Sequence, residues 1–298
     1  MNQNLRTRFI FDDLPVRGLH VRLDGVWRHI AEQKNYPAAI RRTLGELLAA
    51  CALLSANLKS DGSTLIVQVQ GRGALKMLVA EASSANTVRA TARWDETADI
   101  PGDAALSALL GDGGTFAITV QPKDGNPWQG IVPLEGGSIA EMLAGYMARS
   151  EQLETFITLA ADVEHAGGLL LQRLPEKELD DTAWEHVCTL AQTTSAAELC
   201  GLDAQNLLYR LFHETPPRVF APEALEFACT CSRGKVSDML LMLGGEEVGS
   251  VVAAEGSITV DCDFCNQHYT FDENDINALF DTDVVAAAAQ ERHIRKTV

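Results

Sequence analysis

The chain has 298 residues, of which 46% are hydrophobic, so it is long enough to form more than one packed domain. It carries 24 Lys and Arg against 41 Asp and Glu, a formal net charge of −17 that would repel nucleic acid and anionic membranes. We therefore expect no nucleic-acid partner and no membrane partner. The N-terminal sequence MNQNLRTRFIFDDLP has no signal-peptide pattern, and an odd number of cysteines, seven, does not suit a secreted disulfide scaffold. These features predict a cytoplasmic protein.

Residues 1–175 are expected to form an α+β core domain. A helix is predicted over residues 36–59, and because it is apolar on nearly every face it should be buried. Ser138 and Glu141 have the spacing of a capping box, which predicts a helix over residues 139–149. Alternating apolar runs predict strands over residues 65–70, 75–80, 88–94, 116–121, 128–134, 155–160 and 169–174. We interpret the region as antiparallel sheets, arranged as a meander, around a buried central helix, with a turn at residues 166–168.

Residues 176–226 differ from the core domain in composition and pattern, with ten acidic and three basic residues and no strand-like alternation. Short helices are predicted over residues 181–190, 196–200 and 204–213, with Ser195 and Asp203 as N-caps. Helices of this length are marginal alone and need a surface to pack against. One interpretation is an ordinary helical linker. The other is a metastable helical linker that, when undocked, exposes apolar candidates for client binding: Trp184, Leu207, Leu208, Leu211 and Phe212.

Residues 227–275 contain two close pairs of cysteines, Cys229 with Cys231 and Cys262 with Cys265. Two such pairs predict a tetrahedral site for one Zn²⁺, with all four thiolates as ligands at about 2.3 Å. The C-x-C spacing of the first pair is tighter than the usual C-x2-C. A helix over residues 234–243, stopped by two glycines, and a strand over residues 257–261 make a module too small to fold without metal. Residues 276–298 are expected to form a tail, with an Ala-rich helix over residues 281–298.

No motif of an enzyme is present: the chain lacks H-E-x-x-H, G-x-S-x-G, Walker A and G-x-G-x-x-G patterns. Four cysteines would close the zinc shell, whereas a catalytic zinc keeps one position open. His268 is expected outside the shell. Cys51 should be a core residue, and Cys188 and Cys200 are interpreted as bystanders. The chain is therefore predicted not to be an enzyme.

The cysteine pattern and its flanks resemble the zinc centre of the 33-kDa heat-shock protein family. The similarity rests on Phe227 to Arg233 around the first pair, and on Cys262 and Cys265 followed by Tyr269 and Phe271. It extends over nearly the full length, through the segments 9–11, 16–18, 35–37, 149–153 and 167–172, whereas residues after Asp281 match no family motif.

The resemblance implies a redox-regulated holdase chaperone that works without ATP. When reduced, the protein would be an inactive monomer whose four cysteines bind zinc. Oxidation would form one disulfide within each pair, release zinc, unfold the module and the linker, and let a homodimer bind unfolded client proteins. Bridges within each pair close only short loops, so they cost little additional chain entropy. Two other classes stay open: a zinc-ribbon protein-interaction adaptor without redox switching, and a thiol oxidoreductase using Cys262 and Cys265, which would need the C-x-x-C pair at the start of a helix.

Overall fold

The computed structural model describes residues 3–175 and 181–280, and the chain divides into two compact units after Ala228. The first unit contains, in chain order, β1 (Asn4–Ile10), β2 (Val16–Leu23), α1 (Gly25–Ala31), α2 (Ala38–Leu54), β3 (Thr64–Gly71), β4 (Leu75–Ser83), β5 (Thr87–Trp94), α3 (Leu106–Leu110), β6 (Gly114–Gln121), β7 (Trp128–Pro133), α4 (Ile139–Tyr146), β8 (Thr155–Ala161), β9 (Ala166–Arg173), α5 (Asp181–Gln192), α6 (Ala196–Gly201), α7 (Ala204–Phe212), β10 (Arg218–Val219), β11 (Glu223–Ala224) and β12 (Glu226–Phe227). The second unit contains α8 (Arg233–Leu243), α9 (Gly245–Glu255), β13 (Ser257–Asp261), β14 (His268–Asp272) and α10 (Glu273–Phe280). The tail helix predicted for residues 281–298 lies outside the described residues.

Helix α2 lies at the centre of the first unit, between two sheets. One sheet has the strand order β8-β9-β2-β1, with β10 and β11 both paired to the outer edge of β1. The other has the order β12-β5-β4-β3-β6-β7. Because α2 packs against both sheets, its side chains are buried on every face, and Leu44, Leu47, Leu48 and Leu53 are all 0% exposed. The predicted α+β fold with antiparallel sheets around a buried central helix is confirmed.

Helices α5 to α7 form a third layer on the opposite face of the first sheet. Their apolar side chains share a cluster with Phe9, Phe11, Val16 and Leu171 of that sheet. The two predicted N-caps are confirmed: the Ser195 side chain accepts a hydrogen bond from the Glu198 amide, and the Asp203 side chain accepts one from the Asn206 amide. Within the part of the chain that the structure describes, no helix has the length and apolar content needed to cross a bilayer.

The segment after α7 contains short strands, which were not predicted because residues 176–226 show no strand-like alternation. We call residues 218–227, which include β10, β11 and β12, the strap. A strand of two residues is too short to show a periodic pattern, so its position depends on the sheet edge with which it pairs. The helices α5 to α7 and the strap belong to the same compact unit as the sheets, which ends at Ala228. The boundaries at residues 175, 226 and 275 stay a prediction.

Other expectations also need correction. The turn predicted at residues 166–168 is wrong, because these residues begin β9. Their glycines are explained by close packing: a side chain at Gly167 would collide with the carbonyl oxygen of Leu199, and one at Gly168 would collide with Leu53. The second sheet is not a simple meander, since β6 pairs with β3 rather than with β5. Helix α9 was not predicted: the two glycines end α8, but the chain starts a new helix at Gly245.

Candidate metal centre

The sulfur atoms of Cys229, Cys231, Cys262 and Cys265 all lie within 4.8 Å of one another. The distance between the Sγ atoms is 3.6 Å for Cys229 and Cys262, and 3.5 Å for Cys231 and Cys265. These distances far exceed the roughly 2.05 Å of a disulfide bond. They are close to the roughly 3.8 Å edge of a tetrahedron whose centre lies about 2.3 Å from each sulfur, as in a four-thiolate zinc site. The cluster could therefore hold a metal ion.

Two different local structures present the cysteines. Cys229 and Cys231 lie in the extended chain before α8, whose first turn is capped by Ser232 through a 3.2 Å hydrogen bond from the Lys235 amide. Cys262 and Cys265 lie in the turn between β13 and β14. That turn is closed by bonds from the Cys262 amide to the Gln267 carbonyl and from the Asn266 amide to the Cys262 carbonyl, at 3.0 and 2.9 Å. The C-x-x-C pair therefore stands in a β-hairpin turn and not at a helix start, which disfavours the oxidoreductase class.

Arg233 ties the chain around the first cysteine pair to the hairpin that carries the second. Its guanidinium donates to the Thr270 carbonyl at 2.8 Å, pairs with Asp275 at 2.8 Å and lies 4.0 Å from the centre of the Phe271 ring. This role was not predicted from the sequence, although Arg233 lies only two residues after the first pair. The core of this unit is small: its buried apolar residues are Leu240, Val248, Val252, Phe271 and Ile276.

The surroundings of the sulfurs change the proton affinities at the centre. Burial raises the pKa of Cys229, but hydrogen bonds from the Cys231 backbone and from the neighbouring thiols outweigh it, and the pKa falls to about 7. Burial raises the pKa of Cys262 and of Cys265. The Tyr269 hydroxyl donates to Cys231 Sγ at 3.1 Å, and this bond raises the tyrosine pKa to about 12.

The other histidine and cysteine side chains that were considered as ligands or redox partners are either exposed or located in the first unit. His268 is 70% exposed and pairs through Nδ1 with Asp261, at 2.5 Å. Cys51 is fully buried in the first unit, and burial raises the pKa of Cys188 to about 11 and of Cys200 to about 12. Among residues 3–175 and 181–280, the four cysteines are the one group of three or more His, Cys, Asp or Glu side chains placed to share a metal ion.

Four of the five candidate residues for client binding are buried, and the fifth, Trp184, is partly buried. Leu207, Leu208, Leu211 and Phe212 of α7 are at most 7% exposed and contact the first sheet, and Trp184 of α5 packs against the same cluster. A client could reach these side chains only if the helices left the sheet. Their role in binding stays a prediction.

Comparisons with known proteins agree with this architecture. A family model described as Hsp33 protein matches residues 4–272. The 33 kDa chaperonin of Neisseria meningitidis serogroup B is 73% identical over 285 residues, which cover 96% of this chain and 94% of the relative. That of Chromobacterium violaceum is 54% identical over 288 residues, 96% of this chain and 97% of the relative. The crystal structure of the 33 kDa chaperonin from Thermotoga maritima has a TM-score of 0.81 at 25% identity, covering 94% of this chain and 98% of that one. The chain thus belongs to the Hsp33 family of chaperones.

Proposed function

We propose that this chaperone is a redox-regulated, ATP-independent holdase of the cytoplasm that binds unfolded client proteins. In the reduced state it would be an inactive monomer with one Zn²⁺ on Cys229, Cys231, Cys262 and Cys265. Oxidation would convert it into an active form that dimerises. The observation that carries this proposal is the cluster of four thiol sulfurs within 4.8 Å in a unit with a small apolar core.

The thiols would have a structural role when reduced. Zinc, when bound, would supply a cross-link between the hairpin turn and the chain before α8. The five buried apolar residues of this unit are few for a stable fold, so its folding would depend on that cross-link. Four sulfur donors match the preference of Zn²⁺ and leave no open position for catalysis, which agrees with a protein that is not an enzyme.

Oxidation would remove the ligands themselves. For each pair, two thiolates and two protons react with one hydrogen peroxide to give one disulfide and two waters, so two peroxides oxidise the centre. We propose that the bonds form within pairs, Cys229 with Cys231 and Cys262 with Cys265, because these loops are shortest. Since all four sulfurs lie within 4.8 Å, the geometry alone allows bonds across the pairs as well.

The helical layer would respond because it depends on docking. Helices α5 to α7 have 12, 6 and 9 residues, lengths that are marginal for isolated helices. Their contact with the β1–β2 region also leaves a pocket of about 600 Å³, lined by apolar residues that include Phe11, Leu14, Val187 and Phe212. Undocking would expose Trp184, Leu207, Leu208, Leu211 and Phe212 to clients, while the surrounding acidic residues keep the opened protein soluble.

A second candidate function is a zinc-ribbon adaptor that binds a protein partner without redox switching. It is favoured by the end of α8, where Leu241, Met242 and Leu243 are 43%, 82% and 50% exposed. Such a patch of consecutive apolar residues suits a partner surface. An adaptor would need its zinc for binding, whereas the holdase would bind clients only after losing it.

The deciding experiment follows zinc release and suppression of client aggregation in the same peroxide titration. We expect both to rise together in the wild type, and we expect Cys265→Ser to lack stable zinc. Cys188→Ser, which changes a cysteine outside the cluster, should behave like the wild type. Zinc release without any gain in client holding would contradict the holdase, and client holding that requires bound zinc would favour the adaptor.

A further inference from the structure

The strap completes both sheets of the first unit through main-chain hydrogen bonds. On the first sheet, the Phe220 amide donates to the Arg8 carbonyl and the Leu225 amide to the Asn4 carbonyl, at 2.9 and 2.8 Å. On the second sheet, β12 runs parallel to β5, and the Glu226 amide donates to the Asn86 carbonyl at 3.0 Å. One extended segment therefore covers the edges of β1 and β5, which would otherwise present unpaired backbone groups.

Few side chains of the strap contribute to its binding. Leu225 is 2% exposed in the central core, and Phe227 packs against that core with its ring centre 4.4 Å from the ring centre of His29. Glu226, between them, is exposed, and so are Val219 at 41% and Phe220 at 46%. The edges thus accept an extended backbone together with apolar side chains at alternate positions, a pattern that many unfolded sequences can supply.

The position of the strap in the chain links it to the cysteines. Its last residue, Phe227, is followed by Ala228 and then by the first cysteine, Cys229. Unfolding of the cysteine module would therefore leave the C-terminal end of the strap without a folded neighbour in the chain. The other anchor is an ion pair in which Arg6, 3% exposed, donates to Glu223 at 2.5 Å.

We propose that the edges of β1 and β5, covered by the strap in the reduced protein, are a binding surface for an extended segment of an unfolded client. The client would add a strand to each edge, with apolar residues at alternate positions in the places of Leu225 and Phe227. This inference rests on the proposed function, because it requires the strap to leave when the module unfolds. A client fits better than a second copy, since main-chain bonds carry the recognition and do not require one particular sequence.

Hydrogen exchange of the full chain gives the first test. The Arg8 carbonyl accepts a bond from Phe220 of the strap, and the Val88 carbonyl accepts one from Ala228, the residue that follows the strap. Because the N–H and C=O of one strand residue point to the same side, the amides of Arg8 and Val88 face this segment. We expect both amides to be protected in the reduced protein, to exchange after peroxide treatment and to become protected again when an unfolded client is added. The Thr7 amide, which faces β2, should stay protected throughout. Client holding without renewed protection would overturn the inference but not the proposed function, and absence of client holding would overturn both. Renewed protection before client is added, together with dimerisation, would assign the edges to a second copy and overturn the inference.

A synthetic peptide with the sequence of residues 217–228 gives the second test. It should compete with client for the oxidised protein, and N-methylation of the amides corresponding to Phe220, Leu225 and Glu226 should weaken the competition by about 5-fold or more. Equal competition by the two peptides would show that main-chain pairing is not involved.

A pair of variants separates release of the strap from loss of stability. Leu225→Ala should loosen the strap, so the reduced variant should hold client while keeping its zinc. Leu48→Ala removes the same atoms from the same core, at a residue of α2 that is 0% exposed, and should not confer holding. If Leu225→Ala opens the strap by hydrogen exchange but gains no client holding, the inference is wrong.

Discussion

The ion pair between Arg6 and Glu223 should control how tightly the strap is held. The Arg6 side chain is 3% exposed and makes further hydrogen bonds to the Ala52 carbonyl, Ser55 Oγ and Asn86 Oδ1, at 3.0, 2.6 and 2.8 Å. Glu223 is the strap's contribution to this network and also pairs with Arg8 at 3.3 Å. The change that tests its role is Glu223→Gln, which keeps the shape and one acceptor but removes the charge.

The magnitude follows from the environment of the two groups. Removing one partner of a fully buried ion pair costs about 3–5 kcal/mol, and a hydrogen bond to a charged group contributes about 1.5–3 kcal/mol net. Glu223 is 33% exposed, and Arg6 keeps its other three acceptors, so we expect a cost in the lower of these two ranges. A loss of about 2 kcal/mol in the free energy of strap opening corresponds to roughly 30-fold faster exchange of its amides.

The assay is hydrogen exchange of the reduced protein, read at the Leu225 and Glu226 amides. Glu226→Gln is the matched control, because it makes the same substitution in the same strap at an exposed residue, and its effect should stay within about 0.5 kcal/mol. If Glu223→Gln accelerates exchange no more than this control, the neutral acceptors alone satisfy Arg6. The ion pair would then not hold the strap.

Other predictions concern the core, the metal centre and the pH dependence of stability. Leu48→Ala should lower the free energy of unfolding by about 2–5 kcal/mol in chemical denaturation, and a loss below about 1 kcal/mol would contradict full burial of α2. Tyr269→Phe removes the hydrogen bond to Cys231 and should accelerate peroxide-driven zinc release by up to about 10-fold, whereas Tyr209→Phe, at a residue 72% exposed, should not. Burial raises the pKa of Glu46 from 4.5 to about 7, although Arg42 opposes the shift. Because the folded state favours the protonated carboxyl, stability should fall as pH rises from 4.5 through 7, by on the order of 3 kcal/mol, and Glu46→Gln should abolish this fall in denaturation midpoints.

The helices and strands that could be predicted well are those whose own residue pattern identifies them. Helix α2 could be placed because it is apolar on every face. Strands β3 to β7 could be placed because apolar and polar residues alternate within runs that turn residues separate. The N-caps at Ser138, Ser195 and Asp203 are local and were all found in the structure. The cysteine cluster could be predicted for a similar reason, since two pairs of neighbouring thiols limit the possible partners.

The elements that were missed depend on distant parts of the chain. Strands β1 and β2 contain buried polar residues, among them Arg6 and His20, so their pattern is not that of simple alternating strands. Burial lowers the pKa of His20 to about 4, against the raising effect of Asp203, so this histidine is neutral inside the fold. Gly167 and Gly168 looked like a turn because the close approach of Leu199 and Leu53 cannot be read from the sequence.

The strap gives the clearest case of a structure that only the whole fold determines. Its strands have two residues each, and the main-chain bonds that the strap donates go to Asn4, Arg8 and Asn86, more than 130 positions away in the chain. Because Phe227 is only two residues before Cys229, one short piece of chain both completes the sheets and leads into the metal centre. A change at the cysteines therefore does not need to reach the sheets through side-chain packing, since the backbone itself connects them. The helices α5 to α7 lie farther back along the chain and bury a larger apolar cluster. In a stepwise release, the strap would therefore come first and the helical layer after it.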